Sequence, residues 1–177
     1  MQALARTTLF ALLSAAVTTA QKQQFPILAE VKMTEGGAGV GGSIVLEQVD
    51  AETLEISYKF TGLMAGEHGF HIHSSADFSD GCASTGKHYN PFGKDHAGPT
   101  DADRHVGDLG NVAADSEGVA EGLLVDTVAK IYGEHSIMGR SMVVHMFPDD
   151  MGKGGFEDSL SKYTTTPHHN LISRHVL

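Results

Sequence analysis

The sequence predicts an all-β fold, an antiparallel barrel or sandwich interrupted by one very long loop. Three observations lead there. Apolar residues alternate with period two from Phe25 onward, glycine and aspartate punctuate the alternating runs, and residues 74–107 lack any regular pattern. At 177 residues the chain can bury a real hydrophobic core. Hydrophobic residues make up 41% and charged residues 19%, a balance that excludes global disorder.

Residues 1–20 read as a separate object. They carry one charge, Arg6, then the apolar run 9–17, then small residues with Thr18 and Ala20 in the positions a signal peptidase requires. This is the pattern of a secretory signal peptide, so the chain is expected to be secreted. A signal anchor or buried N-terminal helix is the other reading, but the run is shorter than the ~20 residues a bilayer span needs.

Residues 27–33, 43–49 and 54–60 read as three strands, separated by Gly36-Gly37, Gly41-Gly42 and Asp50. Residues 69–73 read as a fourth, and residues 109–113, 119–125 and 141–147 resume the pattern. The loop between them, about thirty residues, is far longer than ordinary connections, so something besides secondary structure should hold it. It is a disordered insertion or a segment clamped by a metal, and its His and Asp content favours the clamp.

Composition narrows the function. The formal charge of −10 argues against a nucleic-acid binder or a polybasic membrane-surface protein. A single cysteine, Cys82, excludes a disulfide framework and a Cys-rich zinc finger. Eleven histidines beside 21 glycines point toward tight turns and a metal site.

His71 and His73, two apart on a strand, project from the same face and can reach one ion. His145 sits in an apolar strand, where by itself it reads as a hydrogen-bonded core histidine. The long loop adds His88, His96, His105 and Asp108, a nitrogen and carboxylate set suited to tetrahedral zinc. Two clusters suggest two metals, and an all-imidazole set with an open position suits redox-active copper.

The segments 66–73 (GEHGFHIH), 86–91 (GKHYNP), 104–111 (RHVGDLGN) and 139–145 (GRSMVVH) together resemble copper–zinc superoxide dismutase. The resemblance spans residues 25–158 and leaves 159–177 as a divergent C-terminal tail. It implies a Greek-key antiparallel β-barrel with long metal-binding loops, and dismutation of superoxide to dioxygen and hydrogen peroxide. It further implies copper on His71, His73, His88 and His145, and zinc on His88, His96, His105 and Asp108. His88 would then bridge the metals and carry the catalytic role, and Asp149 would hydrogen-bond His71 and His96. His68 is structural on this reading, and His135, His168, His169 and His175 are surface residues. A homodimer and a copper-loading partner are the partners it suggests.

The tail departs from the family pattern. The resemblance implies a channel arginine and a second cysteine, disulfide-bonded at the position of Cys82, but neither has a secure counterpart here. Arg174 is the available arginine, while Leu171-Ile172 and Val176-Leu177 could partly replace the closing strand. Lys94, Lys153 and Lys162 are candidate cations for drawing in an anionic substrate. The alternative reading is a metal-binding isoform of the same fold with weak or no activity.

Overall fold

The computed structural model describes residues 23–33, 39–154 and 170–171. Among the described residues nine strands run in the order β1 (Ile27–Met33), β2 (Gly41–Gln48), β3 (Leu54–Thr61), β4 (Gly66–His73), β5 (Ser79–Cys82), β6 (Asp108–Ala114), β7 (Ala120–Asp126), β8 (Ser141–His145) and β9 (Asn170–Leu171). Two antiparallel four-stranded sheets result, ordered β1-β2-β3-β7 and β6-β4-β8-β9. The pairing of β7 with β3, and of β8 with β4, gives the non-sequential neighbours of a Greek-key all-β fold.

Alternation decides which side chains meet between the sheets. Ile44 and Leu46 of β2 point inward while Val45 faces out, and Leu54, Ile56 and Phe60 do the same on β3. They pack against Phe70 and Ile72 of β4, Val112 of β6, and Met142 and Val144 of β8. The Phe60 and Phe70 rings meet edge to face, 5.5 Å between centroids, across the middle of this core.

β4 is buried on both faces from His68 onward, and this positions the site. Phe70 and Ile72 belong to the core, so His71 and His73 project from the sheet's other face. On that face His71 lies opposite Val143 and His73 opposite Ser141, which puts His145 one step further along the same surface of β8. His71 also lies opposite Asp108, the first residue of β6.

The long loop corrects the sequence reading. It contains β5 and a 3₁₀ turn, Ala83–Thr85, where no regular element was expected. Local side-chain bonds build that corner without any hydrophobic period. Asp77 Oδ1 accepts the Ser79 N–H at 2.8 Å, and Ser84 Oγ accepts the Asp80 N–H at 3.1 Å. Nor does the loop depend on a metal clamp alone. Tyr89 N–H donates to Ile72 O at 2.7 Å, Ile72 N–H to Gly107 O at 2.9 Å, and Gly107 N–H to Tyr89 O at 3.0 Å. These bonds stitch both arms of the loop to β4 and set His88 opposite His73 in an antiparallel bridge. Several expected strand limits also shift by a residue or more, most of all in β4, which begins at Gly66 rather than Gly69, in β2, which begins at Gly41 rather than residue 43, and in β8, which stops at His145 rather than residue 147.

Of the divergent tail, Asn170–Leu171 adds two backbone pairings to β8, opposite His145 and Val144. The proposed leader, Lys162, Arg174 and the remaining tail histidines lie outside the described residues.

The stitching needs a glycine at 107. A Cβ there would lie 2.2 Å from Ile72 O and 2.9 Å from Tyr89 N, both backbone atoms. We expect Gly107→Ala to cost about 1–3 kcal/mol, the usual penalty of overpacking, read as a lowered melting temperature in the metal-free protein. An unchanged melting temperature would show that the loop is not held this way.

Candidate metal centre

Eight residues from β4, β6, β8 and two loops build one polar cluster behind the core. His71, His73, His88 and His145 bring one ligand atom each within 4.8 Å of one another, and so do His88, His96, His105 and Asp108. His88 belongs to both sets. The ligand residues are buried except His145, which is half-exposed.

The partners of each ring fix its tautomer. His73 Nδ1 donates to Gly86 O at 2.8 Å, which leaves Nε2 as the free donor atom, 3.4 Å from His145 Nε2. Thr85 Oγ1, 3.0 Å from the same Nδ1, supports the ring. His105 Nε2 donates to Lys94 O at 3.1 Å, leaving Nδ1 free. His71 Nε2 and His96 Nε2 both donate to Asp149, at 2.9 and 2.7 Å. Asp149 is held by Asn111: Asp149 N–H donates to Asn111 Oδ1 at 2.7 Å, and Asn111 Nδ2 donates to Asp149 O at 2.8 Å.

With those protons committed outward, lone pairs point inward. His88 Nδ1, His96 Nδ1 and His105 Nδ1 converge on a single oxygen, Asp108 Oδ1, at 2.8, 3.0 and 3.1 Å. The His96 contact lacks the alignment of a hydrogen bond, and its buried Nδ1, like His71 Nδ1, has no hydrogen-bond partner. Buried polar atoms without partners are costly, and three imidazole nitrogens against one carboxylate oxygen call for a cation between them. The donor set of three nitrogens and one oxygen fits zinc, and the four-imidazole set fits copper.

The electrostatics agree. Burial and the neighbouring His71 pull His73 down to about 4. Burial, then His71, likewise hold His88 and His145 well below the usual histidine range. These rings are neutral near pH 7, as metal ligands must be. Burial opposes charge on Asp108 too, but the imidazoles of His105, His88 and His96 facing its carboxylate keep the carboxyl well below the usual range. His96 differs: burial lowers it, yet the flanking carboxylates of Asp108 and Asp149 outweigh this and push it up to about 10. In the metal-free protein a proton therefore stands where a cation is wanted.

Arg104 is a residue the sequence reading passed over. Its Nη1 donates to His105 O at 3.1 Å and Asp108 O at 3.0 Å, and its Nη2 pairs with Asp126. It fixes the backbone that carries two ligands, and only its place beside His105 hinted at this. Asn111, a polar residue in an apolar strand, was the comparable hint for Asp149. His68 spans the carbonyls of His145 and Met64, both at 2.8 Å, as a structural tie. His135 is exposed against the Phe92 ring, 4.8 Å between centroids. Cys82, the single cysteine of the sequence, is half-buried at the end of β5.

Comparison with known proteins places this geometry in context. Residues 40–170 match the profile of the family described as copper/zinc superoxide dismutase. A superoxide dismutase [Cu-Zn] of Yarrowia lipolytica is 47% identical over 140 residues, covering 77% of this chain and 90% of the relative. That of Saccharomyces cerevisiae is 45% identical over 139 residues, with the same coverage of 77% and 90%. A superoxide dismutase [Cu-Zn] 2 of Mesembryanthemum crystallinum is 46% identical over 138 residues, covering 78% and 87%.

The protonated His96 yields a measurable consequence. Zinc must displace that proton, so adding zinc to the metal-free chain at pH 7–8 is expected to release about one proton from His96 into a weakly buffered indicator solution. Asp149→Asn should weaken zinc binding by roughly 10–100-fold and reduce the release. Zinc uptake without proton release would contradict this charge arrangement.

Proposed function

The chain belongs to the copper/zinc superoxide dismutase family, and from that membership we propose how its own residues divide the work. It converts superoxide to dioxygen and hydrogen peroxide with copper and zinc. His71, His73, His88 and His145 hold copper, His88, His96, His105 and Asp108 hold zinc, and His88 is shared. The observation that carries this division is the presence of His88 in both ligand sets.

Bound copper supplies the chemistry of one-electron exchange with superoxide. The protein supplies position and protons. With Nδ1 given to the Asp108 side, Nε2 is the atom of His88 that can hold a proton and pass it to the departing peroxide. His73 cannot swing away, because Gly86 O and Thr85 Oγ1 hold its Nδ1. Asp149 ties a ligand of each metal to the same carboxylate, so movement in one set is resisted by the other.

Residues 1–20 serve as a cleaved leader, and the enzyme acts outside the cell. The single charge and the short apolar run in that segment support this reading. The working unit is a homodimer, as is common in the family, and a partner protein delivers the copper.

Purified chain loaded with both metals should consume superoxide, and His145→Ala should lose roughly 10²-fold or more of that activity, at least the cost of disturbing a metal-orienting group. Wild-type activity no higher than that of the variant would overturn the enzymatic reading. Metal counting separates the ligand roles. His88→Ala should loosen both metals, whereas His105→Ala should loosen mainly zinc; equal copper retention in the two would contradict the shared ring.

A further inference from the structure

Thr85, the last residue of the 3₁₀ turn, is 0% exposed. A hydroxyl withdrawn from water must spend its one proton on the protein, and the Thr85 hydroxyl donates it to Cys82 O at 2.6 Å. The same oxygen lies 3.0 Å from His73 Nδ1, where Gly86 O stands at 2.8 Å. With its proton spent, the hydroxyl can only accept at that contact, as can the carbonyl. One Nδ1 proton is therefore shared between two oxygens in a three-centre bond.

The turn holds Thr85 in place for this contact. Its carbonyl accepts the Ser75 N–H at 2.8 Å, which ties the turn to the chain just past β4. Its neighbour Ser84 faces the other way, with Oγ 3.0 Å from Asp77 O and 2.9 Å from Gly81 O. The branched Thr85 side chain is stiff at χ1, so the hydroxyl keeps its aim. Donating to Cys82 O also polarises the hydroxyl oxygen and makes it a better acceptor for His73.

An acceptor on the far nitrogen of a metal-bound imidazole raises the donor strength of the ring toward the metal. The gain is larger for a dication than for a monocation, because the same added electron density meets twice the charge. We infer that the Thr85 hydroxyl sets the reduction potential of the copper site, favouring the oxidised ion through His73. The inference deepens the proposed function and rests on the reading of His73 as a copper ligand. Thr85 is a positioning residue here, acting through the imidazole rather than on the reacting atoms.

The test compares four variants of the full chain. Thr85→Val and Thr85→Ala remove the hydroxyl by two routes, so one that fails to fold leaves the other. Thr85→Ser keeps the hydroxyl, and Ser84→Ala disturbs the same corner without touching His73. Redox titration of the copper- and zinc-loaded protein should place the hydroxyl-free variants about 59 mV above wild type. That is the one-electron equivalent of a tenfold loss of preference for the oxidised ion, the smaller end of what such outer hydrogen bonds are worth. Thr85→Ser and Ser84→Ala should match wild type. In the zinc-loaded, copper-free chain, the His73 Nδ1 proton should resonate upfield of its wild-type position in the hydroxyl-free variants alone. A potential unchanged without the hydroxyl, or an equal rise in Ser84→Ala, would overturn the inference. His73→Ala separates the two levels of the argument. Copper kept at full occupancy in that variant would remove His73 from the ligand set and the tuning with it. Copper that needs His73, at a potential indifferent to Thr85, would overturn the tuning alone.

Discussion

Three imidazole nitrogens held within 3.1 Å of one buried carboxylate oxygen cannot be left without positive charge among them. Most of the site's organisation serves to keep that arrangement in place. Asp108 gives its other oxygen to the backbone N–H groups of His105 and Ala97, at 2.9 and 3.2 Å, so the carboxylate cannot rotate out of the cluster. Arg104 grips the carbonyls of His105 and Asp108 from behind and is itself pinned by Asp126. The concentration of negative charge and lone pairs is thus built into the fold before any ion arrives. A preformed site of this kind converts metal affinity into stability, since the unfolded chain has no equivalent arrangement of donors.

The same constraint explains why β4 is buried on both faces. One face contributes Phe70 and Ile72 to the core, and the other carries His71 and His73 beneath the loops. Because the strand is clamped from the core side, the imidazoles inherit the rigidity of close packing. The long loop borrows that rigidity by bonding its arms to Ile72. Asp149 then ties His71 on the strand to His96 on the loop through one carboxylate. Strand, loop and the segment after β8 therefore move as one body around His88.

Electrostatics divide into short and long range. Within the cluster, burial keeps His73, His88 and His145 neutral, while Asp108 and Asp149 hold a proton on His96 until a metal replaces it. Outside it, the formal charge of −10 opposes the approach of an anionic substrate, and Lys94, exposed and paired with Asp103, does little to offset it.

The period-two pattern of the strands was legible in the sequence because alternation is a local property, set by which side of a pleat faces the core. The spacing of His71 and His73, and the proximity of His105 to Asp108, were legible for the same reason. His145 was legible only through the resemblance carried by residues 139–145: from its own strand it reads as a core histidine, and the pairing of β8 with β4 is what sets it on the same face as His71. The loop's corner at Ser79–Thr85 escaped notice because hydroxyl and carboxylate bonds, not apolar periodicity, shape it. The sequence by itself determined the β class, the donor types and, through its motifs, the family they resemble. Tertiary structure alone decided which nitrogen of each ring is free and how Arg104 and Asn111 brace the ligands. Those facts depend on partners distant in the chain, and a hydrogen bond's direction is fixed only once both ends have been brought together.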